Sequence, residues 1–137
     1  MAKENGLGLT VTVDDSGGTG RAISADVGDA TFDIPSNVLD WTGVNATGFE
    51  RGYGLADMTV TFNGTFDDAA DLAHAVFKNY RTILAGQVGR TTAIAHSGQT
   101  LSDEILYSNF SYNRATDGSL RWSAPGNLSD GGTPAWS

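Results

Sequence analysis

The stretch ADMTVTFNGTF, residues 56–66, alternates strictly between apolar and polar side chains. The apolar set that shares one face is Met58, Val60, Phe62 and Phe66, and the polar set on the other face is Asp57, Thr59, Thr61 and Asn63. A period of two residues is typical of a β-strand with one buried face and one polar face. This strand predicts a mainly β protein and leaves open what the polar face contacts.

Other segments extend the same pattern along the chain. LGLTVTV at 7–13 alternates and predicts a first strand, and DDSGGTG at 14–20 predicts a turn. The next strand places Phe32 and Ile34 on one face and ends at Pro35. TILAG at 82–86 and TTAIAH at 91–96 predict two more short strands.

A hairpin is predicted near the C-terminus. Two strands flank Ala-Thr-Asp-Gly at 115–118, a strong turn signal. One face of the first strand is predicted to carry Leu106, Phe110 and Tyr112, and one face of the return strand Leu120 and Trp122. The tail that follows is rich in Gly and Ser and ends in the isolated Trp136.

The segment DDAADLAHAVFKNY, residues 67–80, changes to a helical period. One helical stripe contains Ala69, Leu72, Ala73, Val76, Phe77 and Tyr80. Asp67 or Asp68 is placed to cap the N-terminus. The pattern predicts one helix of about four turns that packs on a sheet.

The stretch DWTGVNATGFERGYG, residues 40–54, has neither period. It combines four glycines with Trp41 and Phe49 and with the charged neighbours Glu50 and Arg51. Disordered segments are poor in aromatic residues, and long ordered loops in small domains are usually functional. We therefore expect an extended loop over 40–55 that contacts another molecule.

Composition excludes several classes of function. The 137 residues fit one domain, with no candidate membrane span and no apolar secretory segment. The net charge is −8, and the eight basic residues are scattered, which argues against gripping a phosphate backbone. There is no cysteine, so disulfides and thiol chemistry are excluded.

No catalytic, metal or cofactor site is predicted. His74 and His96 are the only histidines, and neither has a ligand at metal-binding spacing. The paired acids, such as Asp14 and Asp15, lack the alternating spacing of a calcium loop. These acids are expected to serve turns and helix caps.

Three segments resemble the small major tail tube proteins of long-tailed, siphovirus-type bacteriophages, particularly those of actinobacterial hosts. They are NVLDWTGVNATGFERGYGLADMTVTFNGTFD, AHAVFKNYRT and DGSLRWSAPGNLSDGGTPAWS, and the likeness covers roughly residues 30–137. The resemblance implies a β-sandwich or distorted barrel with one flanking α-helix and a long inter-strand loop. It also implies a virion protein, made in the host cytoplasm, that forms stacked hexameric rings.

The resemblance gives the unexplained segments a role. The loop would reach a neighbouring subunit, and the expected inter-subunit contacts are Trp41, Phe49, Glu50, Arg51, Tyr53 and Trp136. The polar face of the strand at 56–66 would line the channel, with Asp57, Thr59, Thr61 and Asn63 as lumen-lining candidates. An acidic wall repels phosphates, so DNA would pass without specific binding. Further expected partners are a tape measure protein inside the tube and the tail terminator and distal tail proteins.

Other functions stay open at this point. A capsid decoration protein or a tail terminator would bind other virion proteins without forming long polymers. A carbohydrate-binding β-sandwich would use Trp41 and Trp136 to stack on sugars. An enzyme is the fourth alternative, and no constellation of residues supports it.

Overall fold

The computed structural model describes residues 5–67 and 69–137, which form a mainly β, antiparallel fold with one short helix. The strands are β1 Thr10–Asp14, β2 Gly20–Ala22, β3 Asp29–Asp33, β4 Ser36–Asp40, β5 Arg51–Ala56, β6 Thr59–Thr65, β7 Arg90–His96, β8 Gln99–Tyr107, β9 Ser111–Arg114 and β10 Leu120–Leu128, and α1 is Ala73–Phe77. The mainly β class predicted from the sequence is confirmed.

Eight strands form one antiparallel sheet in the order β2-β1-β7-β8-β10-β6-β3, and β9 pairs with β10 beside β8. The end strands β2 and β3 do not pair among the described residues, so the sheet is not a closed barrel. Val11 on β1 and Phe62 on β6 nevertheless belong to one buried cluster. The sheet therefore curls over a single core.

Strand β6 buries the apolar face that its alternating sequence predicts. In β6, Val60 and Phe62 are fully buried, as is Met58 just before it, whereas Thr59 and Thr61 lie on the outer face. Strand β6 pairs with β10 on one side and with β3 on the other. Its outer polar face is consequently flanked by two further strands.

The predicted hairpin at 115–118 is present, but one face of β8 differs from the prediction. Trp122 is buried, as its alternation with Leu120 predicts, whereas Leu106 is exposed and its neighbour Tyr107 is buried. The Tyr107 hydroxyl contacts Thr92 Oγ1 at 2.6 Å, and both residues lie in the core. The prediction was wrong because Tyr107, whose hydroxyl has a buried hydrogen-bond partner, occupies the inner face in place of its neighbour Leu106.

The helix predicted over 67–80 is confined to Ala73–Phe77, and Asp68 lies outside the described residues. Its N-terminus is capped by Asp26, whose Oδ2 accepts a hydrogen bond from the Ala73 amide at 3.2 Å. The Arg90 guanidinium, 2% exposed, then donates to the carbonyls of Val76, Asn79 and Thr82. These bonds fix the chain as a tight turn after the helix, so the helix ends early.

The same contacts explain why TILAG at 82–86 is not a strand. The Thr82 carbonyl accepts from Arg90, and the Gln87 amide donates to the Leu84 carbonyl in a turn. Both groups are therefore unavailable to a sheet ladder.

Candidate assembly surfaces

The segment predicted as a loop over 40–55 is the tip and the second strand of a hairpin, which we call the arm (Ser36–Ala56). Strand β4 pairs with β5 in antiparallel register, with Val38 opposite Tyr53 and Leu39 opposite Gly52. The arm leaves the body after Pro35 and returns at Asp57, whose amide donates to the Pro35 carbonyl at 2.9 Å. Residues 41–50 lie outside its strands, whereas Asp40 and residues 51–55 of the predicted loop belong to β4 and β5.

The arm exposes large apolar side chains on both of its faces. All five residues of β4 are exposed, and Tyr53 and Leu55 on β5 are 82% and 86% exposed. The exposed apolar residues of the arm are Val38, Leu39, Trp41, Val44, Phe49, Tyr53 and Leu55. A contiguous apolar surface of this kind marks a site of interaction with another protein.

Two local contacts hold aromatic rings of the arm in place. The Trp41 indole lies against Gly52, on the opposite strand, so closely that a side chain at position 52 would overlap the ring. On the other face, the Arg51 guanidinium lies over the Phe49 ring, 4.4 Å from its centroid. Such cation–π contacts restrict both side chains without burying them.

The tip of the arm is organised by polar groups. Asp40 Oδ1 accepts hydrogen bonds from the Thr42 amide at 3.0 Å and from the Thr42 hydroxyl at 2.6 Å. The same hydroxyl oxygen accepts from the Glu50 amide at 2.8 Å. Hydrogen bonds from Thr42 lower the pKa of Asp40, so its carboxylate stays ionised and holds this turn.

Five of the predicted inter-subunit residues lie on the arm, whereas the sixth, Trp136, lies on the body. Trp136 forms a bridge with Leu101 on β8, and the backbones of Ser137 and Thr100 exchange two hydrogen bonds of 2.9 Å. Its ring centroid lies 6.0 Å from that of Phe32, and 43% of the residue is exposed. Trp136 therefore covers one rim of the core with part of its surface still accessible.

The lumen-lining candidates lie on the outer face of four neighbouring strands, which we call the polar face. Strands β3, β6, β10 and β9 are adjacent in that order, and residues opposite each other in their ladders share a face. The polar face includes Asp29, Thr31, Asp33, Thr59, Thr61, Asn63, Ser111, Asn113, Arg121, Ser123, Pro125 and Asn127. The exposed Asp57 lies two residues before β6.

The polar face is made of short side chains and carries few charges. Asp29 and Asp33 on β3 are its acids, and Arg121 is its base. Leucine, phenylalanine and lysine are absent from the twelve positions given above, so the surface is smooth and offers no apolar patch to a ligand. The candidates Thr59, Thr61 and Asn63 were identified from alternation alone, whereas the contributions of β3, β9 and β10 required the strand order.

Two further groups were missed at the sequence level. One is Arg90, in the stretch GRTTAIAH. Its guanidinium is buried and donates hydrogen bonds to backbone carbonyls, and no sequence pattern near Arg90 indicates these contacts. Strand β9 has all four residues exposed, although Tyr112 shares a face with Phe110, as alternation predicts, and lies opposite the buried Trp122. The exposure of β9 follows from its position at the edge of the sheet, which periodicity does not reveal.

Metal and membrane sites are not evident in the described chain. Over residues 5–67 and 69–137, no group of three or more His, Asp or Glu side chains is arranged to hold a metal ion. In the same part of the chain, no helix is long and apolar enough to cross a membrane.

Comparisons with known proteins identify the fold. No protein-family model matches the chain, and no curated protein matches it. Two solved structures do match over 98% of this chain and 99% of theirs, both with a TM-score of 0.73. One, 16% identical, is a chain of the virion of a native gene transfer agent particle, and the other, 15% identical, is a chain of the tail of an empty particle of that kind with C6 symmetry. The chain therefore has the fold of proteins that build gene transfer agent particles.

Proposed function

We propose that this protein is the structural subunit of a phage-type tail tube, in which hexameric rings stack into a hollow conduit for DNA. The observation that carries the proposal is the end-to-end likeness of its fold to a chain of a tail with C6 symmetry. The exposed arm supports the proposal, because a hairpin with exposed apolar side chains on both faces is typical of a surface that binds another protein.

In the proposed tube the polar face lines the lumen. Six copies of a sheet of four strands, spaced about 4.8 Å apart, give a circumference of about 115 Å and a backbone diameter of about 37 Å before strand tilt. A wall of that size leaves room for a DNA duplex between the side chains. Asp57, Thr59, Thr61 and Asn63 then face the cargo, as the sequence predicts.

The charge of the chain suits a conduit that does not bind its cargo. Each subunit carries −8, so a ring of six is strongly acidic and repels phosphates. Short hydroxyl and amide side chains on the lumen side offer weak contacts that exchange readily with water. DNA would consequently slide through the tube without specific binding.

The arm would join successive rings. Stacking is a heterologous contact that does not close, which is the kind of contact that builds filaments. In this arrangement Trp41, Phe49 and Tyr53 bury against the next ring, with Glu50 and Arg51 beside them. Tape measure, tail terminator and distal tail proteins are the further partners of such a tube in the virion, and the subunit would be made in the host cytoplasm.

Electron microscopy of the purified protein at low and high concentration tests the proposal. We expect six-fold rings or hollow tubes whose number grows with concentration. A single ring that never stacks would instead identify a tail terminator or decoration protein. Uniform small particles at every concentration, with binding to a sugar panel, would contradict the proposal and favour a carbohydrate-binding module.

A charge-reversal experiment tests the lumen assignment. Asp57→Lys combined with Thr61→Lys should leave tube assembly intact but slow or block DNA delivery, because lysines at the wall hold phosphates. Ser102→Lys, on an exposed position of β8 outside the polar face, is the matched control. Normal infectivity of the double lysine variant would place these side chains away from the channel.

A further inference from the structure

We propose that protonation of Asp103 controls how tightly the C-terminal segment is held on strand β8. The segment comprises residues 129–137, which we call the strap. In its closed position a proton on Asp103 forms a hydrogen bond to the carboxylate of Asp130 in the strap. This control belongs to the single subunit and does not depend on the proposed tube.

Asp103 occupies a position of β8 at which side chains point towards the core. Its neighbours on that side of the strand, Leu101 and Ile105, are fully buried, and the residue opposite it on β7 is the buried Thr92. Oδ2 of Asp103 is buried and has no hydrogen-bond partner among the described residues. A buried carboxylate oxygen without a partner is costly, so ionised Asp103 destabilises this edge of the core.

The strap covers the part of β8 that has only one neighbouring strand. Strand β10 pairs with β8 only from Ile105 onward. Before that point the Ser129 amide donates to the Glu104 carbonyl at 3.0 Å. At the other end the amides of Thr100 and Ser137 each donate to the carbonyl of the other residue at 2.9 Å. The strap is therefore attached to β8 on both sides of the core-facing acid.

Asp130 brings a second carboxyl group to Asp103. The Gly132 amide donates to Asp130 Oδ1 at 2.8 Å, which orients the Asp130 side chain. The carboxyl groups of Asp103 and Asp130 lie within hydrogen-bonding reach, but two carboxylates can only accept hydrogen bonds. A proton that Asp103 takes from solvent makes its carboxyl a donor to Asp130. One proton thus converts a repulsive contact into a bond between the strap and β8.

The surroundings of Asp103 favour its protonated form. Burial raises the pKa of Asp103, and the negative charges of Asp130 on the strap and Glu104 on β8 raise this pKa further. Asp103 forms no ion pair in the described part of the chain. Its proton is therefore bound more tightly when the strap is closed than when the strap is open.

The neighbouring strands supply no charge that would keep Asp103 ionised. On β7, Thr92 is neutral and contacts the Tyr107 hydroxyl, and the Arg90 guanidinium donates to carbonyls beyond α1. On β1, Asp14 carries a further negative charge and interacts with Glu104. The proton on Asp103 consequently has no cationic competitor from these strands.

The strap should close more tightly as the pH falls. Because the folded-state pKa of Asp103 lies above the ordinary value of 3.8, closure strengthens as the pH falls from neutral through the raised pKa, and no further gain is expected below 3.8. At neutral pH the two carboxylates repel each other, so the strap opens more often. Opening frees the edge of β8, and a free strand edge readily pairs with another chain.

Hydrogen exchange of the strap tests the proposal. Mass spectrometry would follow a strap peptide from the dilute subunit, in the presence of EDTA, with exchange times corrected for the intrinsic effect of pH on amide exchange. Between neutral pH and about pH 4 we expect the corrected exchange to slow about fivefold. Equal corrected exchange at the two pH values would overturn the proposal. The same slowing in a peptide from β6 would also overturn it, because it would reflect the stability of the whole subunit.

Two substitutions of Asp130 separate the hydrogen bond from simple repulsion. Asp130→Asn offers an amide donor to ionised Asp103 while its oxygen still accepts from Gly132. At neutral pH its strap should exchange about fivefold more slowly than that of the unmodified protein, with no remaining pH dependence. Asp130→Ala removes the repulsion but supplies no donor, so it should slow exchange less.

A control variant and two outcomes complete the test. Asp117→Asn, at an exposed acid of the 115–118 turn, should leave exchange of the strap unchanged. Equal exchange in Asp130→Asn and Asp130→Ala would show that repulsion alone acts and would overturn the hydrogen bond. A pH dependence that persists in Asp130→Asn would assign the effect to another group and would overturn the role of Asp103.

Discussion

The arm and the β7–β8 hairpin have the same local construction but opposite surroundings. Both are antiparallel pairs, yet β7 alternates buried and partly buried residues, whereas every residue of β4 is exposed. The burial of the β7 residues RTTAIAH alternates with a period of two, whereas that of the arm strands SNVLD and RGYGLA does not. A hairpin with one apolar face folds onto its own core, whereas a hairpin with two apolar faces requires a partner.

The contrast predicts how stability and assembly divide between the two regions. Substitutions in the body should lower the free energy of unfolding, and those in the arm should leave it unchanged but prevent assembly. The following variants are ordered by their expected effect on that free energy.

Arg90→Met is expected to have the largest effect. It leaves the buried carbonyl of Val76 and the less buried carbonyls of Asn79 and Thr82 without their donor, at a cost of about 3 kcal/mol in the free energy of unfolding. Urea unfolding followed by tryptophan fluorescence measures the loss. A change below about 1 kcal/mol would mean that the turn after α1 does not depend on this guanidinium.

Two glycines provide a matched pair across the two regions. A methyl group at Gly64 would overlap the Asp26 carbonyl oxygen, so Gly64→Ala must move the backbone that caps α1 and should cost about 3 kcal/mol. Gly52→Ala displaces only the exposed Trp41 ring and should cost under about 1 kcal/mol. Thermal unfolding compares the two variants, and equal losses would contradict the division between arm and body.

Removal of the arm tip is expected to affect assembly alone. Deletion of 43–48 with a two-residue replacement turn should leave the free energy of unfolding within about 0.5 kcal/mol, because these side chains contribute nothing to the core. Stacking of rings should be lost in the electron microscope. Phe49→Ser should weaken stacking in the same direction, with Val88→Ser as the control. Tubes of normal length from the deletion variant would refute the role of the arm.

The smallest expected effect concerns the pKa of Asp103. Burial raises this pKa above 3.8, and the nearby Asp130 and Glu104 raise it further. The folded state therefore binds a proton at higher pH than the unfolded state does. Stability should rise slightly as the pH falls from 7 through the folded pKa towards 3.8.

Asp103→Asn checks the sign of this effect. At pH 7 the variant should unfold at a slightly higher temperature than the unmodified protein, and the difference should shrink as the pH approaches about 4. Asp40→Asn in the arm is the counterpart, because hydrogen bonds lower the pKa of Asp40 and its contribution is lost only as the pH falls through that lowered value. A stabilisation by Asp103→Asn that is independent of pH would contradict the electrostatic cause.

Several features were accessible from sequence because they depend on neighbours a few residues away. The faces of β6 follow from alternation, and the turn at 115–118 follows from Ala-Thr-Asp-Gly. The aromatic rings of 40–54 are exposed, and the expected contact of this segment with another molecule stays a prediction. Its strands were missed because Gly52 and Gly54 weaken the β signal and its apolar residues lie on both faces.

The sequence by itself determined the β class, the two faces of the central strand and the acidic charge, because each depends on residue type and short-range spacing. Tertiary structure alone decided the length of α1, which is limited by Asp26 in the turn before β3 and by Arg90 at the start of β7. It also decided which edges stay unpaired, since the order of β3, β6, β10 and β9 depends on long-range pairing. Hydrogen bonds between strands distant in sequence leave no periodic signal, so the assembly surfaces became visible only in the folded chain.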